Sequence, residues 1–389
     1  MHWPDHLEYG RGEARLDSRD RLDAAVAYLR ERFGVCRFYW RVDHWFIQRY
    51  CHQRTDDPEV SRGWSRFWEG LATSRIRDVS DFVEVTRAAG AQAYLYLPFL
   101  DEGLPQDLLY RPRGTPYPYQ SRFSSAHPEY VEVDRSGRDR HWGVFCYSYP
   151  EVRRYRLEML RHLLAEAPAD GLHLCTRSYV LPAAYGDQFG FNRPVVEEYR
   201  RRHGVDILHR DFDLESWRRL RGEALSRFLS AVKALLHPAG QRLSLAVPRG
   251  NYLGPPYGNL HLNWQKWVRD GLVNVISGRQ LTEGLSGYGY LCNGEDGIGL
   301  NPLEQDLARV YGPVCRRAGC RLYLGAGVDL NRREPDAEQL EDLARLAGFD
   351  GFVFTTGNLG ERFSFDKRGR PINWTIEALD LGAGTFSPP

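Results

Sequence analysis

Residues 144–177 read VFCYSYPEVRRYRLEMLRHLLAEAPADGLHLCTR, and the repeating unit of the chain lies within them. Val144–Ser148 is a short β-rich run. Pro150 then opens a helix over Glu151–Glu166, because proline's fixed φ and missing N–H suit a first helical turn. Gly171–Arg177 is a second β-rich run. Strand, helix and strand in that order predict parallel strands covered by a helix.

The same alternation extends in both directions. Cys36–Val42 is the first strand, after a helix near Arg21–Arg32. Gln92–Phe99 is the second, after a helix near Ser80–Ala89 that Gly90 stops as a C-cap. Val144–Ser148 is the third and Gly171–Arg177 the fourth. Arg242–Val247 is the fifth, after a long helix near Leu214–Leu236. Val273–Ser277, Arg321–Ala326 and Gly351–Thr355 follow as sixth to eighth. Eight such units with right-handed crossovers close an α/β fold, a (β/α)8 TIM-type barrel. A doubly wound open sheet would place a glycine-rich phosphate loop after its first strand, and residues 36–47 contain no glycine. Residues 1–389 are expected to form one barrel domain, with a small β excursion at 127–139. Two connections are long, Asp101–Gly143 after the second strand and Gly278–Pro302 after the sixth. Both follow strands, so both belong to the C-terminal face, where barrel active sites form.

Composition narrows the function classes. Lys and Arg total 52 against 51 Asp and Glu, a net charge of +1, which argues against a nucleic-acid partner. The run Arg200–Arg202 lies beside Glu197 and Glu198 and reads as a solvated helix face. The seven cysteines form no CxxC pair, which argues against a zinc ribbon or redox pair. GxSxG, HExxH and Walker A patterns are absent. Gly294–Gly297 lacks the rest of an EF-hand loop. No metal and no cofactor are therefore expected. No stretch approaches the roughly 20 apolar residues of a membrane span, so no membrane partner is expected. Met1–Asp20 shows no apolar signal-peptide core, which predicts a cytoplasmic protein or an exported one whose signal has been removed. The oligomeric state stays open. Aromatics reach 13%, many in loops, including Tyr252 and Tyr288. Flat rings with polar edges suit a sugar or the packing of long loops.

At this point a resemblance appears. His127-Pro128-Glu129-Tyr130, then Tyr149-Pro150-Glu151-Val152-Arg153, then Asp170-Gly171-Leu172-His173-Leu174 resemble, in order and spacing, the glycosyl-hydrolase-like barrels related to family-ten glycosidases. The similarity is best over Ser80–Tyr179. It implies a (β/α)8 fold and a carbohydrate ligand. In that family the fourth strand ends in an acidic residue. Here Cys175 and Thr176 occupy the place, so that acid is not carried over.

Candidate site residues follow from strand-end position. Alternation puts Arg37, Tyr39, Arg41 and Asp43 on one side of the first strand, and His173, Cys175 and Arg177 on one side of the fourth. His173 is expected as a hydrogen-bonded core histidine. Hydrolysis of a glycosidic bond normally needs two carboxyl groups, about 5–5.5 Å apart for retention or about 6.5–9.5 Å for inversion. Asp329 and Asp43 are the first choices, with Glu283 and Asp101 in reserve; Glu102 also stands at a strand end. Arg177, His44, Trp45, Asn251, Tyr252, Tyr288 and Asn358 are expected to contact substrate. The expected function is a glycoside hydrolase acting on an oligo- or polysaccharide. The alternative is a carbohydrate-binding barrel without turnover.

Overall fold

The computed structural model describes residues 7, 16–52, 70–102, 120–176, 183–248, 250–253, 258–279, 303–326, 349–354, 364–365 and 371–372. Nine of its strands concern the fold: β1 (Arg37–Arg41), β2 (Gln92–Pro98), β3 (Val131–Val133), β4 (Arg140–Phe145), β5 (Gly171–Cys175), β6 (Arg242–Val247), β7 (Val275–Arg279), β8 (Arg321–Ala326) and β9 (Gly351–Phe354). Seven of them form one parallel sheet in the order β1-β2-β5-β6-β7-β8-β9.

That sheet is curled. β1 and β8 are five steps apart in it, which in a flat sheet is roughly 24 Å at about 4.8 Å per step. Yet the Arg37 guanidinium of β1 lies 5.4 Å from the ring centre of Tyr323 on β8. Inward side chains fill the concave side in layers. Arg37 lies 4.9 Å over Tyr94. One layer higher, Tyr39 meets His173 at 4.3 Å between ring centres. His173 Nδ1 in turn lies 2.8 Å from Ser244 Oγ. Burial, with the charge of Arg37 adding to it, pushes the His173 imidazole down to about 3, so it is neutral. His173 is thus the hydrogen-bonded core histidine expected from its strand position.

The opposite side of β1, β2, β5 and β6 is apolar and faces helices. Phe38 and Trp40, Leu95 and Leu97, Leu172 and Leu174, and Leu243 and Leu245 are all buried. Trp40 stacks on Phe82 at 4.7 Å and donates from Nε1 to Thr86 Oγ1 at 2.7 Å, both on helix Asp78–Ala88. Gly90 follows that helix at φ +71, as expected of a stop residue. Helix Pro150–Glu166 begins at the predicted proline and turns Val152, Arg156, Met159, Leu160, Leu163 and Leu164 inward. No helix among the described residues is long and apolar enough to cross a membrane.

One expected strand is corrected. Val144–Ser148 was to be the third barrel strand. The chain instead forms β4, which pairs antiparallel with β3 and stands apart from the main sheet, while β2 pairs directly with β5. The cause is the turn at residues 134–139. Asp134 Oδ1 accepts from the backbone N–H groups of Arg138 and Asp139 at 2.9 Å each, and Gly137 adopts φ +74. This turn sends the chain back on itself. The hairpin and helix Pro150–Glu166 together make one crossover from β2 to β5. The described sheet accordingly has seven strands, with edges at β1 and β9.

Candidate active site

Two of the predicted acidic residues line one pocket. Asp43, the first residue of helix Asp43–Tyr50 after β1, and Asp101, three residues past β2, line one pocket with Phe46, Ile47, Leu97, Pro98 and Arg156. Parallel pairing sets Arg41 opposite Tyr96, so the ends of the two strands emerge side by side. Asp43 Oδ2 is ion-paired to Arg41, and both side chains are largely buried. Asp101 makes an antiparallel bridge to Val144, which ties the chain after β2 to the hairpin.

Sequence reasoning missed how firmly the neighbouring residue is held. Glu102 is fully buried and ion-paired to Arg156, itself buried on helix Pro150–Glu166. Arg156 also donates to the Asp101 carbonyl. Ser121 Oγ donates to Glu102 Oε2 at 2.7 Å. Burial pushes the Glu102 carboxyl up to about 7, against the pull of Arg156 and the Ser121 hydroxyl. The signal for this pair was present in the sequence. Arg156 sits on the stripe Val152, Met159, Leu160, Leu163, where a charge needs a buried partner. A second pair repeats the device. Arg221, on the apolar stripe of helix Leu214–Leu236, lies 2.9 Å from Glu132 of the hairpin, and both side chains are buried.

Other predicted residues are placed away from this pocket. His44 is buried, its ring 6.0 Å from that of Phe82. Trp45 is fully buried and donates from Nε1 to Glu166 Oε2 at 2.8 Å, so it offers no face to a ligand. Both follow from the helix that starts at Asp43, which turns these side chains back into the layer between strands and helices. Asn251 Oδ1 accepts from Trp264 Nε1 at 3.0 Å. Tyr252 is buried and donates to Glu215 Oε2 at 2.6 Å. These contacts tie loops to helices and do not bring Asn251 or Tyr252 to the pocket of Asp43 and Asp101. Arg177, Glu283, Tyr288, Asp329 and Asn358 lie outside the described residues. Among the described residues, no group of three or more His, Cys, Asp or Glu could hold a metal ion.

The end of β5 carries no acid chemistry. Cys175 is buried beside Tyr96, whose phenol is raised first by burial and then by Cys175. Thr176 donates from Oγ1 to the Ala246 carbonyl at 3.1 Å. The motif residues before it have framework roles. Asp170 accepts from the Ala93 N–H at 2.7 Å and from Arg87 at 2.9 Å, clamping β5 to β2. Arg153 donates to the Tyr147 and Ser148 carbonyls, fixing the start of its helix.

No protein-family model matches the chain, and no curated protein matches it. Solved structures similar to it include glycoside hydrolases. The glycoside hydrolase domain of PgaB (BpsB) from Bordetella bronchiseptica is 13% identical at a TM-score of 0.47, covering 91% of this chain and 92% of that one. The glycoside hydrolase domain of PelA from Pseudomonas aeruginosa is 14% identical at 0.38, covering 72% and 83%. GH36 alpha-galactosidase AgaA from Geobacillus stearothermophilus, in complex with 1-deoxygalactonojirimycin, is 13% identical at 0.41, covering 89% and 38%.

Proposed function

We propose that this chain is a carbohydrate-active enzyme of the glycoside hydrolase kind, built as one (β/α)8 barrel over residues 1–389. The observation that carries this is the meeting of Asp43 and Asp101 in one pocket at adjacent strand ends. Glycosidic hydrolysis normally uses a pair of carboxyl groups flanking the scissile bond, and barrel chemistry is sited on that face. The apolar walls Phe46 and Pro98 suit the carbon-bound hydrogens of a sugar. Asp329 and Glu283 are proposed as further carboxylates of the same mouth, and Arg177, Tyr288 and Asn358 as substrate contacts on its loops.

The test is reducing-end release from a panel of neutral, amino- and acidic polysaccharides. Asp101→Asn and Asp43→Asn should each lower kcat by about 100-fold or more, and Asp43→Asn should also lower the melting temperature because it leaves the buried Arg41 unpaired. Full turnover in both variants removes the chemistry from this pocket. A second proposal, carbohydrate binding without turnover, is favoured by one observation: Cys175 and Thr176 stand at the end of β5, where the family it resembles carries an acid. Oligosaccharide binding by calorimetry, with no reducing ends released over days, selects it.

A further inference from the structure

Residues 315–320 read CRRAGC and lead from the end of helix Gly312–Arg317 into β8. This is no CxxC motif, and the way the helix stops is what brings the two cysteines together. Gly319 takes the left-handed conformation at φ +64. Its N–H donates to the Arg316 carbonyl at 3.2 Å, and the Cys320 N–H donates to the Cys315 carbonyl at 2.9 Å. These two bonds make a Schellman ending, in which the side chains at the positions of Cys315 and Cys320 meet. A Cα lies about 1.5 Å from its own nitrogen and about 2.4 Å from its own carbonyl oxygen. The Cys320–Cys315 bond therefore keeps the two Cα atoms at most about 6.8 Å apart, within the reach of a disulfide. Both cysteines are buried free thiols. The Cys320 thiol is held protonated, first by a hydrogen bond with Cys315 and then by burial, so the two sulfurs are in contact.

We propose that Cys315 and Cys320 are a disulfide-forming pair that ties the end of this helix to the start of β8, with a peroxide as the oxidant. One thiolate attacks a peroxide oxygen and the O–O bond breaks, which leaves a sulfenic acid and a hydroxide that takes up the thiol proton. The second sulfur attacks the sulfenic sulfur. The S–S bond forms, and the sulfenic oxygen leaves as water with the second thiol proton. Two electrons pass from the sulfurs to the peroxide, and two waters are released. Burial keeps bulky oxidants out, whereas hydrogen peroxide is close to water in size.

The test treats the folded protein with hydrogen peroxide, removes the peroxide with catalase, blocks the remaining thiols with N-ethylmaleimide in urea and maps the tryptic peptides. Val310–Arg316 and Ala318–Arg321 should appear joined, about 2 Da lighter than the two reduced peptides together, and dithiothreitol should separate them. The exposed Cys36 reports that the peroxide is active. If Cys36 is oxidised while Cys315 and Cys320 both stay open to N-ethylmaleimide, or carry separate sulfinic acids, the pair is refuted. The joined protein should also unfold at a higher urea midpoint than its reduced form. Cys320→Ser, or Cys315→Ser if the first does not fold, should lose that rise. An unchanged or lowered midpoint on joining means that the native helix end does not hold the bridge, and overturns the proposal.

Discussion

Arg156 interrupts the apolar stripe of its helix, and Glu102 makes that tolerable. The pair has a cost visible in pH dependence. Burial raises the Glu102 carboxyl from 4.5 to about 7 in the folded protein, so folding favours its protonated form. The stability this group contributes is fully present below about pH 4.5 and is lost as pH rises through about 7, a loss of about 3 kcal/mol at most. Glu132, buried against Arg221, is shifted in the same direction, with burial again the largest cause. Glu102→Gln should therefore remove one fall in urea midpoint between pH 5 and pH 8, leaving the fall due to Glu132 and the opposing rise due to His173, which is held neutral in the folded protein. A variant that keeps the full wild-type slope would show that Glu102 is not the titrating group. Gly171 illustrates a different constraint at the same scale. It faces Tyr94 across β2 and Arg242 across β6, and a Cβ there would lie 2.3 Å from the Arg242 carbonyl oxygen. Only glycine lets the three strands close at that level.

At the scale of elements, local signals were sufficient for most boundaries. Leu214–Leu236, Arg242–Val247 and Arg321–Ala326 form as their periodicity predicts. The long helix has a clear start, since the Asp213 side chain accepts from the Glu215 N–H at 3.0 Å. Asp213→Ala should lower stability by about 1 kcal/mol, read as a lower melting temperature with unchanged activity. No change in melting temperature would mean that the tertiary contacts of this helix hold its first turn without the cap. The hairpin shows where local signals mislead. Val144–Ser148 has the composition of a barrel strand, and a β-rich run carries no mark of which partner it will take. The Asp134–Gly137 turn decided that, by bringing β4 back onto β3 before it could join the sheet.

At the scale of the molecule, the concave side of the sheet is the feature that sequence alternation foretold best. Arg37, Tyr39 and Arg41 were expected on one side of the first strand, and Arg37 and Tyr39 meet Tyr323 and His173 across the interior. Arg37 links β1 to β8 through Tyr323 and to β2 through Gln92 Oε1, at 2.8 Å and 3.0 Å. Arg37→Met should lower stability by about 2 kcal/mol. It should also speed amide exchange in β1 and β8 together, measured by hydrogen–deuterium exchange. Faster exchange in β1 alone would mean that the contact across the interior does not hold the curl.

The sequence by itself determined the α/β alternation, the inward and outward faces of the strands and the framework motifs around Asp170 and Arg153. These depend on periods of two and 3.6 residues and on short-range turn chemistry, which are written locally. The tertiary structure decided which side chains share a pocket. Asp43 and Asp101 meet because β1 and β2 pair in parallel register, and His44 and Trp45 turn away because a helix begins at once after β1. Glu102 and Arg156 lie far apart in sequence and become partners only when a helix packs over the end of β2. Convergence of this kind depends on contacts between distant segments, and such contacts leave no periodic trace in either segment alone.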